Sequence, residues 1–84
     1  GTLVNSSVIF PNPATDNITV EFTGEGATTV QVMNTLGGEV LSGKITSNGL
    51  TRYTFSSESL SSGSYFVKIS TGNRMIVLPV SVIK

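Results

Sequence analysis

The sequence contains no histidine, no cysteine and no tryptophan. The first two absences remove the usual general base, the thiol nucleophile and the imidazole and thiolate ligands of transition metals. Without cysteine no disulfide can brace the fold, so 84 residues must cohere through a continuous sheet and a filled core. Charge is scarce as well, with five acidic and five basic residues summing to zero. Lys44, Arg52, Lys68, Arg74 and Lys84 stand singly. That excludes the basic footprint of a nucleic-acid binder and the polybasic patch of a membrane-surface protein. No segment approaches the roughly 20 apolar residues of a membrane-spanning helix. Gly1-Thr2-Leu3-Val4-Asn5 lacks the charged start and apolar run of a signal peptide. The length allows one domain, expected over 6–84, with 1–5 as a linker or processing end.

What is present alternates with period two, the signature of half-buried strands. Ile18, Val20 and Phe22 share one face of a strand at 17–23; Val30 and Val32 share one at 28–34. Strands are also expected at 6–10, 39–46, 50–56, 64–70 and 75–83. Turn formers fall between them: Pro11-Asn12-Pro13, Gly24-Glu25-Gly26, Gly37-Gly38, Asn48-Gly49, Ser61-Ser62-Gly63 and Gly72-Asn73. Asn-Gly and Gly-Asn are hairpin signals. Seven short strands at this spacing predict an all-β domain, a seven-stranded antiparallel Ig-like β-sandwich. The Cys…Trp…Cys pattern of antibody domains is absent.

The residues that could carry chemistry have plainer roles. Asp16, Glu21, Glu25, Glu39 and Glu58 fall on turns or outward positions, not as a pair across a cleft, so they read as surface charge. Pro13-Ala14-Thr15-Asp16-Asn17 is the best candidate calcium turn. It offers one carboxylate where calcium wants six to eight oxygens, and the better reading is a turn former. No metal or cofactor is therefore expected. Of Phe10, Phe22, Tyr53, Phe55, Tyr65 and Phe66, only Phe66 is clearly out of phase with the inward alternation, too few for a sugar platform. The sequons at Asn5 and Asn17 are chance matches in a Ser/Thr-rich chain.

The final apolar run is different in kind. Ile76, Leu78, Val80 and Val82 form one row, and Met75, Val77 and Ile83 lie in the other. Pro79 offers no ladder donor and points to an edge strand. An edge with two apolar faces is a liability unless something covers it, and a partner could pair with it. A second copy pairing along that edge would give a dimer.

Three motifs occur in a telling order: Ile9-Phe10-Pro11-Asn12-Pro13 at the start, Asn34-Thr35-Leu36-Gly37 after a strand, and 60–69, Leu-Ser-Ser-Gly-Ser-Tyr-Phe-Val-Lys-Ile, before the closing run. Over about 8–84 the chain resembles the C-terminal sorting domain of the type IX secretion system of Bacteroidetes bacteria. The resemblance implies a seven-stranded sandwich with no catalysis of its own, at the end of a larger cargo such as a protease or adhesin. It implies binding by the translocon and passage through the periplasm and across the outer membrane. A sortase at the cell surface then removes the domain and joins the cargo to anionic lipopolysaccharide. By position, recognition would fall on Gly63 and Tyr65, on Arg74, Met75, Ile76, Val77, Leu78, Pro79, Val80, Ser81, Val82 and Ile83, and on Lys84. Two departures stand out: Asn34 where the family often has Asp, and a last strand poor in lysine. The contrasting expectations are an Ig-like spacer or adhesive module of a bacterial surface protein, and a carbohydrate-binding module, which would need exposed aromatics.

Overall fold

The computed structural model describes residues 7–10 and 15–84. The alternating sequence becomes one antiparallel sheet of five strands: β1 Val8–Phe10, β2 Asn17–Asn34, β3 Glu39–Ser56, β4 Gly63–Thr71 and β5 Arg74–Val82. Neighbours run β1-β2-β4-β5, with β3 along the other side of β2. The first half of β2 pairs with β1, the second half with β4, and β3 spans both.

Five strands replace the seven expected from the sequence, and the reason lies in the register. The segments expected at 17–23 and 28–34 are the two halves of β2; those at 39–46 and 50–56 are the two halves of β3. Gly24 pairs with Gly49, Glu25 with Asn48 and Gly26 with Ser47. The two turn signals thus face each other across the ladder. Both strands bend at the same place and keep their hydrogen bonds, so neither turns back. Gly26 (φ 73°) and Gly49 (φ 97°) supply the left-handed backbone that the bend requires. Asn48-Gly49 is therefore a bend and not a hairpin, whereas Gly72-Asn73 does close the β4–β5 hairpin, with Gly72 at φ 56°.

The bend is large. Eighteen residues at about 3.3 Å each would run nearly 60 Å straight, yet the longest axis of the molecule is 40 Å. Tyr53 and Gly43 lie on the same strand and would stand roughly 33 Å apart in a straight one. A Cβ on Gly43 would nevertheless overlap the Tyr53 hydroxyl. The first half of β3 is folded towards the second.

The inward residues from both halves then meet in one core. Ile18, Val20, Phe22, Val30, Val32, Val67 and Ile69 are fully buried, joined by Phe55, Leu60, Tyr65, Val80 and Val82. Ile9, Leu41, Ile45, Tyr53, Ile76 and Leu78 pack against them. Phe10, expected in phase with the core, is instead 39% exposed and lies under the Arg52 guanidinium, 5.4 Å from its ring centroid. β1 has only three residues, and Ile9 takes its one inward position.

The bend is pinned by polar contacts. The buried Thr71 hydroxyl, at the end of β4, accepts from the Glu25 amide (2.7 Å) and the Thr28 hydroxyl (2.8 Å). One buried polar atom has no partner among the described residues: Oγ of Ser47, opposite Gly26. Ser47→Ala is expected to leave stability unchanged or raise it by up to about 1 kcal/mol, because it removes an unsatisfied buried group. Thermal melts of the two forms check this.

Candidate functional site

The residues expected to carry recognition do not form one surface; they divide by the direction in which each faces. Among the described residues β5 pairs with β4, from Gly63 opposite Val82 to Thr71 opposite Arg74, and is the last strand on that side of the sheet. This is where Pro79 can sit without breaking the ladder. Along β5, Ile76 and Leu78 are partly buried and Val80 and Val82 buried, all on the core side. Met75 (62% exposed), Val77 (54%), Pro79 and Ser81 face outward, and Ile83 continues that row beyond the strand. Period two separates the two rows, as the sequence pattern requires.

Three of the other expected residues hold the structure together. Tyr65, buried near the start of β4, donates its hydroxyl to the Ser61 carbonyl at 2.7 Å. This is the arrangement known as a tyrosine corner, which fixes the entry of a strand into a β fold. Arg74 reaches across the β4–β5 turn and donates from Nη2 to the Thr23 carbonyl, next to the bend of β2. Lys84 is tied to the 57–62 loop twice: its amide donates to Ser62 Oγ (2.9 Å) and its ammonium to the Ser57 carbonyl (2.5 Å). Ser57, fully buried, in turn donates to the Asp16 and Thr15 carbonyls. Gly63 is exposed at the start of β4.

The motif at 34–37 forms the loop between β2 and β3. Asn34 Oδ1 accepts from the amides of Leu36 (3.0 Å) and Gly38 (2.9 Å). A carboxylate could accept the same two bonds, so asparagine serves this turn as an aspartate would. Register brings further residues to the outward row of β5. Pro79 lies opposite Phe66, and Phe66 opposite Met33, so β5, β4 and β2 contribute one apolar row to the outer face. The sequence showed Phe66 out of phase but gave no sign of which residues would stand beside it.

Among the described residues there is no pocket and no group of three acidic side chains close enough to share an ion. The candidate calcium turn at 13–17 lies partly outside the described residues. Within them, the Thr15 and Asp16 carbonyls accept from Ser57. Among those residues no helix is long and apolar enough to cross a membrane.

A sequence comparison with curated proteins finds no match. A comparison with protein families matches the secretion system C-terminal sorting domain over residues 8–83, which takes in all five strands. The chain belongs to that family, the C-terminal sorting domains of the type IX secretion system, non-catalytic tails through which the secretion machinery directs a preceding cargo to the cell surface or beyond.

Proposed function

We propose that this domain acts by being bound twice: by the type IX translocon, which takes it from the periplasm across the outer membrane, and then by a cell-surface sortase. The sortase cuts the domain away and joins the cargo to anionic lipopolysaccharide. The observation that carries the proposal is β5, an edge strand whose inner row is built into the core while its outer row of Met75, Val77 and Pro79 is exposed. Folding needs only the inner row. Met75, Val77 and Pro79 in the outer row lie exposed, which leaves them for a partner.

The architecture fits the Ig-like sandwich expected of the family. A tyrosine corner, the folding of β3 over itself at Tyr53 and Gly43, and a single core drawn from both halves of β2 all support it. In that reading each bent long strand supplies one segment to each layer.

The test is a fusion of residues 1–84 to a periplasmic reporter in a Bacteroidetes host with this secretion system. The reporter should appear outside the cell, trimmed of the domain, and carry lipopolysaccharide detectable by gel shift. Equal export of a reporter without the domain would leave only a spacer role. Pairing of two copies along the β5 edge belongs to the same proposal. Pro79 offers no donor to an added strand, so the contact is weak. Sedimentation should show monomers at low concentration and dimers at high concentration, and Pro79→Val should shift the balance towards dimers.

A further inference from the structure

The outer face of the sheet differs between its two halves, and the difference identifies where a partner binds. On the half built from β1, the start of β2 and the end of β3, polar groups satisfy one another. Arg52 Nη2 meets Glu21 Oε2 at 2.8 Å and lies over Phe10, and the Thr19 and Thr54 hydroxyls are 3.0 Å apart. On the half built from β5, β4, the end of β2 and the start of β3, Gln31 and Glu39 satisfy each other, but the two lysines and the apolar side chains around them are left open. The row Pro79–Phe66–Met33 crosses three strands, and Val77 and Met75 extend it along β5. Lys68 stands opposite Val77, and Lys44 opposite Thr29 one strand further on. Neither lysine makes an ion pair or hydrogen bond among the described residues. The carboxylate on this half, Glu39, is engaged by Gln31 Nε2.

From this we infer that the outer face of the β2–β4–β5 half is the docking surface, and that its occupant is a protein surface with an apolar centre rimmed by carboxylates. The inference rests on the sorting function proposed above and names the recognition surface and its chemistry. Phe66, Val77 and Met75 fill the centre, and Lys68 and Lys44 meet the acidic rim. An apolar contact alone would not select this face, since Leu50 is 73% exposed on the other half. The unpaired cations do select it, because like charge repels wrong partners and opposite charge steers the right one. The free edge of β5 is then a border of the site and not its centre.

The experiment uses the same reporter fusion with Phe66→Ser, Val77→Ser, Lys68→Glu and Leu50→Ser, each melted as the purified domain to show that it folds. Export should fall about tenfold or more for Phe66→Ser and Val77→Ser, the loss expected of anchor residues. It should fall for Lys68→Glu and recover with Lys68→Arg, while Leu50→Ser exports normally. Full export by folded Phe66→Ser and Lys68→Glu would overturn the inference, as would an equal loss in Leu50→Ser. Binding of the unsubstituted domain to anionic vesicles that Lys68→Glu abolishes would also overturn it, since the lysines would then serve lipid. Failure of the unsubstituted domain to export its reporter removes the sorting proposal itself and the inference with it, so the two failures are told apart.

Discussion

Gly24→Val should leave the domain unfolded at room temperature, and Gly24→Ala should cost it about 2 to 3 kcal/mol. The reason is space. A Cβ at Gly24 would lie 2.5 Å from the Cβ of Ser47 and 2.9 Å from the ring of Phe22. Neither neighbour can withdraw. The Ser47 Cβ is fixed to the backbone of β3, and Phe22 is fully buried. To admit the new atom, β2 and β3 must part at the bend where both change direction, or Phe22 must leave its place in the core. Overpacking of this sort costs about 1 to 3 kcal/mol per small insertion and more for a branched side chain. A chain of this length holds only about 4 to 13 kcal/mol in all. Circular dichroism and thermal melts check the loss. Ser47→Gly should recover part of it in the Gly24→Ala background, because it removes the nearest atoms; a cycle without coupling would show that the strain lies elsewhere.

That bend also marks the limit of what could be read from the sequence. The expected segments fall on the strands, those at 64–70 and 75–83 matching β4 and β5 to within a residue at each end, while the stretches of β2 and β3 at 24–26 and 48–49 were read as turns. Gly72-Asn73 was legible as a hairpin because the strands it joins are neighbours in sequence. Gly24-Glu25-Gly26 and Asn48-Gly49 were not legible as bends. A turn signal reverses the chain when nothing lies across from it, and only bends the chain when a partner strand bends with it. That depends on pairing between residues distant in sequence, which periodicity does not encode.

The candidate site divides in the same way. The inner and outer rows of β5 followed from alternation alone, and Pro79 correctly marked an edge. The structural roles of Arg74 and Lys84 could not be seen, since each depends on a carbonyl far away in the chain, Thr23 for one and Ser57 for the other. The Tyr65 hydroxyl bonds to Ser61, close by in sequence, and its position near the start of a strand was the signal available. Phe66 could be seen to face outward. That Met33 and Pro79 flank it required the register.

Deleting residues 75–84 should unfold the domain as well as abolish export, and the second effect would then say nothing about recognition. β5 contributes Val80 and Val82 to the core and packs Ile76 and Leu78 against it. Burial of each such side chain is worth about 1.5 to 3 kcal/mol, so the two valines alone reach about 3 to 6 kcal/mol. That is comparable with the whole stability of a domain this size. The deletion also frees the edge of β4 with Val67 and Ile69 behind it, and removes the Lys84 contacts that hold the 57–62 loop. Loss of the cooperative melt, rapid proteolysis and aggregation should follow. A deleted form that still melted cooperatively would show that β5 is an appendage, read separately from the fold. The expected result means the opposite: the strand proposed to present the signal also completes the core. The outer apolar row is then in register across β5, β4 and β2 only when β5 has folded, so a partner docking on the proposed face would read folding and address together.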